Sequence, residues 1–247
     1  MGRDVRELRS AWSRYQRHAF HSPSPALAPW VERYWEVRWD YPEPYRQKIV
    51  PYPNVHLSFG GGRADVSGVC SGYQVKVLEG RDHVFGVAFR PGCFRPFLDA
   101  SVSTITDRVI SATEVFGPDL PTTLDVPTMD AFLLKHLPDG DPRVRQAVAA
   151  VELIAQDKAV TRVEQLASEL GLSIRGLQRL FAEYVGIGPK WVIRRYRLHE
   201  VTARMAAGGT IDWATLAADL GYADQGHFIR DFKSIFGEPP TQYAQRY

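Results

Sequence analysis

Arg175, Gln178 and Arg179 fall at i, i+3 and i+4 of a stretch that reads as helix, opposite an apolar stripe of Leu177, Leu180, Phe181 and Tyr184. Planar guanidinium and carboxamide groups form paired hydrogen bonds with the edges of guanine and adenine. The chemistry open to such a face is therefore base readout in a DNA major groove. A second stretch buries Phe228, Phe232 and Ile235 and leaves Gly226, Ile229, Arg230 and Lys233 outward, with Gln225 and His227 near its start. That face has fewer fork-shaped donors. Its expected share is phosphate attraction, from His227 and Lys233, with a thymine-methyl contact by Ile229. A solvated face on a plain helical hairpin carries the same residue types, so one such helix alone decides nothing.

The two stretches are copies of one unit. Leu166, Ala167, Leu170 and Gly171 recur as Leu216, Ala217, Leu220 and Gly221; after one inserted residue, Ser173, Leu177, Arg179, Phe181, Gly186 and Pro189 recur as Asp224, Phe228, Arg230, Phe232, Gly237 and Pro240. Each copy reads as a short helix, a glycine turn and a second, capped helix. Thr161 and Glu164 form a capping box, Gly171 stops the first helix, and Ser173 caps the next and is placed to meet a phosphate. Asp212, Gly221 and Asp224 repeat those roles. This is a helix-turn-helix pattern, whose second helix lies in a major groove.

Between the copies, Lys190 to Ala207 reads as one helix stopped by Gly208-Gly209. Eighteen residues at about 1.5 Å each span roughly 27 Å, close to the roughly 34 Å of one duplex turn. Two readers on one chain could then enter successive major grooves. Residues 190–204 carry a local charge balance of +4, and Arg194, Arg195 and Arg197 are natural phosphate contacts there, with plain solvation of a connecting helix as the alternative.

The chain in front of these units has a different character. Of 247 residues 45% are apolar, and the net charge is +2, so an acidic partner must be met by local patches. From about Ala26 to Phe89 apolar residues alternate with period two, as in Trp35, Val37 and Trp39, in Val55, Leu57 and Phe59, and in Phe85, Val87 and Phe89. Pro42, Pro44, Pro51, Pro53 and Gly60-Gly61-Gly62 separate them as turns. A short helix is expected at Phe94 to Ala100. Met129 to Gly140 reads as the bridge to a helix capped by Asp141 and Pro142, whose stripe is Val144, Ala147, Val148, Val151 and Ile154. Residues 1–18 hold a balance of +3, with Val5, Leu8, Trp12 and Tyr15 at helical spacing, so this tail can serve DNA, the body or a partner. No run approaches the roughly 18 apolar residues of a membrane span, and the start lacks an apolar signal core, which places the protein in the cytoplasm without a membrane partner.

The front half offers little to an enzyme. Seven histidines are scattered with no HxH pair, no metal site is implied, and His56 reads as a surface or hydrogen-bonded residue. Gly68-Val69-Cys70-Ser71-Gly72 imitates a nucleophile elbow, yet a strand-like Tyr73-Gln74-Val75-Lys76-Val77 follows where that motif needs a helix. Gly60-Gly61-Gly62 lacks phosphate-loop spacing. Cys70 and Cys93 read as reduced core thiols. The aromatic crowd Trp30, Tyr34, Trp35, Trp39, Tyr41, Tyr45 and Tyr52 is either core or the wall of an effector pocket. Trp35, Tyr52, His56 and Arg90 are the pocket candidates, with Arg90 and Arg95 as anchors for an anionic effector.

Residues 142–247 resemble the AraC/XylS family of transcription regulators. Gly221-Tyr222-Ala223-Asp224-Gln225, His227-Phe228, Arg230-Asp231-Phe232-Lys233 and Phe236-Gly237 with Pro240 and Tyr243 carry the resemblance most specifically. It implies base-reading positions at Arg175, Gln178, Arg179, Gln225 and Arg230, and RNA polymerase as a partner. Gly226, Ile229 and Asp231 depart from the family's pattern. Phe85 to Gly92, Phe94-Arg95-Pro96-Phe97-Leu98 and Thr106-Asp107-Arg108 are similar to an uncharacterised subgroup of cupin-like sensor regions, which implies sensing or dimerisation.

The expected fold is α+β: a basic tail (1–18), a mostly antiparallel β, cupin-like regulatory domain (19–128), a linker (129–141), and an all-α domain of two helix-turn-helix units joined by a long helix (142–247). The expected function is sequence-specific DNA binding in transcription regulation, with double-stranded DNA as partner, a small-molecule effector or a homodimer contact as the control, no cofactor and no catalysis. The competing class is a small-molecule-binding or cupin-type enzymatic protein whose helical half is a scaffold. A third, an alkyl-DNA repair sensor, needs a cysteine cluster that two distant cysteines do not supply.

Overall fold

The computed structural model describes residues 14–137, 140–208 and 211–245. Most of the expected basic tail lies outside them. Its last residues are not a tail: Gln16–His21 is strand β1, paired with β2 from Gln16 opposite Trp39 to His21 opposite Tyr34.

The front half is one antiparallel sheet in the order β1-β2-β5-β3-β4-β6, with β2 Val31–Ile49, β3 His56–Gly60, β4 Arg63–Ser67, β5 Gln74–Phe89 and β6 Val109–Ser111. Two long strands, β2 and β5, pair from Val31 opposite Phe89 to Ile49 opposite Gln74. The register slips at the start of β2, where Val31 faces Phe89 but Arg33 faces Ala88. One extra residue thus reverses the in/out parity, and Val31 and Tyr34 both enter the core although period two would separate them. Tyr34, Leu57, Val66, Phe85, Val87 and Phe89 form that core with Phe94, Phe116, Met129 and Leu133. The Tyr34 hydroxyl donates to Asp130, and burial together with this carboxylate pushes the phenol far above its ordinary value. Phe94 to Ala100 is shorter in helix than expected, a single 3-10 turn at Arg95–Phe97; a second 3-10 turn spans Val102–Ile105.

Helix α1 is Ala112–Phe116, and α2 is Val126–Lys135, capped by Asp125. The expected linker from 129 is therefore wrong over its first half. Met129, Phe132 and Leu133 are buried in the sheet's own core, and the connection to α3 begins only at His136.

Helix α3, Pro142–Gln156, starts at Asp141 and Pro142 as expected. After it come α4 (Val163–Glu169), α5 (Ile174–Leu180, continued by a π turn at Phe181–Val185), α6 (Pro189–Ala207), α7 (Trp213–Asp219), α8 (Gln225–Phe236) and α9 (Pro240–Ala244). The start of α4 corrects one expectation. Arg162, not Thr161, is the cap residue, and Gln165 rather than Glu164 reaches back to the Thr161 and Arg162 amides. Helix α6 is shared: Val192 and Ile193 join the core of the first unit, while Leu198, Val201 and Met205 join that of the second with Phe228, Phe232 and Tyr243.

Arg197 of α6 is 2% exposed. It donates to the Ile154 and Asp157 carbonyls at the end of α3 and to Glu200, so it satisfies groups that a helix C-terminus leaves without intrahelical partners. Replacing it by Met keeps the stem but removes those donors; we expect Arg197→Met to cost about 3 kcal/mol in urea unfolding of the full chain. On the sheet, Trp35 lies opposite Gly86 with its indole so close that a Cβ there would sit 2.2 Å from ring atoms. Gly86→Ala should cost about 1–3 kcal/mol by overpacking, read in the same experiment.

Candidate nucleic-acid interface

Gly171 takes φ +63°, a left-handed conformation that glycine adopts without strain, and so turns the chain from α4 into α5. Ser173 then caps α5, its Oγ accepting from the Gly176 amide at 3.0 Å. Leu177, Leu180, Phe181 and Tyr184 are buried, and Arg175, Gln178 and Arg179 are exposed on the opposite side. Among the described residues, neither Arg175 nor Arg179 forms a salt bridge. Ser173 is exposed, but its hydroxyl oxygen is already engaged by the cap.

In the second unit Asp212 caps α7, Gly221 makes the turn at φ +79°, and Asp224 caps α8 through the His227 amide at 2.7 Å. Gln225, Arg230 and Lys233 are exposed; Ile229 is half-buried and packs against the second unit's core. His227 turns back into the unit, 3.6 Å from Asp231 and edge-on to the Tyr222 ring.

The arginines of α6 overturn the expectation of phosphate contacts. Arg194 forms an ion pair with Asp231, which is itself 8% exposed. Arg195 is 2% exposed, donates from Nε to the Pro51 carbonyl, and lies with its guanidinium 3.9 Å from the Tyr52 ring centre and 5.5 Å from that of Phe236. Together with Arg197, each fork is turned toward another part of the protein, because α6 is packed on several sides and little of it reaches solvent. Charge counting could not find this. The departure at Asp231 was the available signal, since an acid on the buried side of α8 requires a cation opposite it.

The front domain holds both units. Ser101 Oγ donates to the Ala182 carbonyl at 2.9 Å, Thr106 donates to that of Gly186, and the Trp191 indole donates to the Ser71 carbonyl at 2.7 Å. Tyr184 donates to Asp141 at 2.6 Å; burial and this bond push its hydroxyl up to about 12, and the same bond holds Asp141 below the usual carboxylate value. At the second unit Lys48 meets Glu238 at 3.2 Å, and the Tyr73 ring lies against Gly237.

Of the pocket candidates, Trp35, Tyr52 and His56 line one cavity of about 380 Å³ on the sheet face opposite its core. Arg90 does not join them. It borders a cleft of about 700 Å³ between the front domain and α3, with Trp30, Asp141 and Glu152, and its Nε donates to the Ala28 carbonyl at 2.6 Å. Arg95 donates to the Leu98 carbonyl. Cys70 is followed by β5 rather than a helix, and burial raises both thiols, Cys93 to about 12, which keeps them out of the reactive thiolate form. No group of three or more His, Cys, Asp or Glu among the described residues is placed to hold a metal ion. No helix among them is long and apolar enough to cross a membrane.

Residues 166–246 match a family described as a helix-turn-helix domain, and residues 19–111 one described as a domain of unknown function (DUF6597). Over 109 residues the chain is 30% identical to the XylDLEGF operon transcriptional activator 1 of Pseudomonas putida, covering 43% of this chain and 32% of that one. Over 84 residues it is 32% identical to the RCS-specific HTH-type transcriptional activator RclR of Escherichia coli strain K12, covering 34% and 29%. The chain thus matches only 32% and 29% of the lengths of these curated relatives. A solved structure of a probable AraC family transcriptional regulator from Rhodopseudomonas palustris is 31% identical, with a TM-score of 0.35, over 43% of this chain and 97% of that one. ToxT from Vibrio cholerae is 10% identical with a TM-score of 0.41 over 94% and 98%. With its duplicated unit, its shared helix and these relatives, the chain belongs in its helical half to the AraC/XylS family of transcription regulators, behind a front domain of the DUF6597 type.

Proposed function

We propose that this protein is a cytoplasmic, sequence-specific DNA-binding transcription regulator in which α5 reads bases with Arg175, Gln178 and Arg179, and α8 adds Gln225 and Arg230. One observation carries the proposal. The residues able to form paired hydrogen bonds with base edges stand exposed in a row on the second helix of a capped helix-turn-helix, while the other arginines of the domain's centre are turned inward. Lys233 supplies phosphate attraction in the second unit and Ser173, at the start of α5, in the first, while His227, turned back toward Asp231, takes no part. Arg194 and Arg195 act instead on the geometry that holds the two units. RNA polymerase is the further partner at the promoter. The front domain controls the reader through its contacts at Ala182, Gly186, Trp191 and Glu238, under an effector seated in its cavity; the chain turns over no substrate.

Genome-wide mapping of bound sites supplies the cognate duplex, and fluorescence anisotropy on it separates the roles. Arg179→Ala should cost about 1–3 kcal/mol on the cognate site and relax preference at one base pair. Lys233→Ala should weaken cognate and scrambled duplexes alike and lower the salt slope by about 1, through release of fewer counterions. Equal behaviour of the two variants, or no duplex binding at low salt, would remove the assignment.

A further inference from the structure

The cavity is built for a particular kind of occupant. Its floor is the Trp35 indole, lying flat on the sheet because Gly86 presents no side chain beneath it. The indole is held in place from its edge, where Nε1 donates to His56 Nδ1 at 3.3 Å. Trp39 is fixed in the same manner by donation to the Glu79 carbonyl at 3.2 Å, and Tyr52 is backed by the Arg195 guanidinium. Flat, immobilised rings favour a flat partner, because offset stacking and edge contacts add to the burial of area, and rigid walls lose little entropy on binding.

The polar lining settles the charge. The groups set into the walls, Gln47, Asn54, Ser58, Ser67 and Gln74, are uncharged donors and acceptors. The charged lining residues are paired or lie at the mouth: Arg33 pairs with Glu32 at 2.8 Å, Asp65 lies 3.8 Å from Arg63, and Lys76 and His83 are exposed. An ionic group buried among them would lose its water without gaining a counter-charge, which disfavours it against a neutral one. A volume of about 380 Å³ stands near the lower end of ligand sites, roughly 300–1,000 Å³.

We propose that the front-domain cavity takes a planar, uncharged heteroaromatic compound of one or two fused rings, seated on Trp35 with its hydrogen-bonding edge toward the amide and hydroxyl groups of the wall. The proposal rests on the reading of the chain as an effector-controlled regulator, and it names the effector's chemistry. The route to the reader is short. At the end of β2 and in the turn that leads into β5, residues that line the cavity are chain neighbours of residues that grip the helical half: Gln47 lines and Lys48 meets Glu238, Cys70 lines and the Ser71 carbonyl receives Trp191, Gln74 lines and Tyr73 packs on Gly237. Tyr52 does both, lining the cavity and stacking on Arg195, so an occupant that shifts this segment shifts its grip.

Quinolin-2-one is a suitable probe, with dodecanoate and glucose as the aliphatic-anion and polyol controls. On the full chain without DNA, quinolin-2-one should change tryptophan emission saturably and raise Tm, and the controls should do neither. Ser58→Leu, which narrows the cavity, should weaken the probe at least tenfold while leaving DNA affinity without probe unchanged; Trp35→Phe, which keeps a ring on the floor, should retain binding within tenfold. Saturable binding of dodecanoate or glucose in place of the probe, no binding of the probe at millimolar concentration, or equal affinity in Ser58→Leu would overturn the assignment. Saturable binding that Ser58→Leu weakens, with DNA affinity indifferent to the probe, upholds the ligand class and refutes the control of DNA binding by that cavity.

Discussion

Helix α6 is buried by two cores at once, and the geometry of both readers depends on that shared burial. Val192 and Ile193 anchor it in the first unit, and Leu198, Val201 and Met205 in the second, so the units cannot rotate independently without exposing apolar surface. Three arginines within about one turn fasten it further, each to a different neighbour: Arg194 to Asp231 of α8, Arg195 to Pro51 and Tyr52 of the front domain, and Arg197 to the end of α3. A planar fork suits this work better than an ammonium, because it meets carbonyls and carboxylates in plane while its faces stack on rings. What appears as a basic patch in the sequence is thus the fastening of the domain. Arg175, Arg179, Arg230 and Lys233, on the second helix of each unit, stay exposed.

The front domain shares in that fastening through the end of β2 and the turn that leads into β5. Residues that line the cavity and residues that contact the helical half are chain neighbours there, so no layer of other residues lies between them. Lys48, the Ser71 carbonyl and Tyr73 meet the helical half beside Gln47, Cys70 and Gln74 on the cavity, and Tyr52 touches both. Closeness of this kind makes the segment a shared element, which a ligand can bias only by binding one arrangement more tightly than another.

Much of the helical half was legible from the residues. The repeat, the caps at Ser173, Asp212 and Asp224, and the turns at Gly171 and Gly221 are local features, set by interactions within a few residues, and they appear where the chain places them. The buried stripes of α5 and α8 follow from their 3.6-residue period. The front half was legible as strands but not in its packing. A bulge between Val31 and Arg33 changes which residues face the core, and no local pattern announces it. From Met129 onward α2 reads as linker in the sequence, because its few apolar residues are meaningful only against the sheet that covers them. Trp35, Tyr52 and His56 meet in one cavity, while Arg90, read with them, lies at another surface, since the pairing of distant strands and not their spacing in the chain decides the grouping.

By itself the sequence determined that a duplicated helix-turn-helix follows a β-rich domain, and that Arg175, Gln178, Arg179, Arg230 and Lys233 point outward from the second helices, though not that Ile229 packs against the core. These are consequences of periodicity and capping, whose physics acts over a single turn. Only the tertiary structure decided that Arg194, Arg195 and Arg197 face inward, that α6 belongs to both units, and that a cavity lies beside the contacts to the helical half. Each of these depends on which distant surface comes to rest against a side chain, and a guanidinium has the same composition and charge whether its partner is a phosphate, an aspartate or a buried carbonyl.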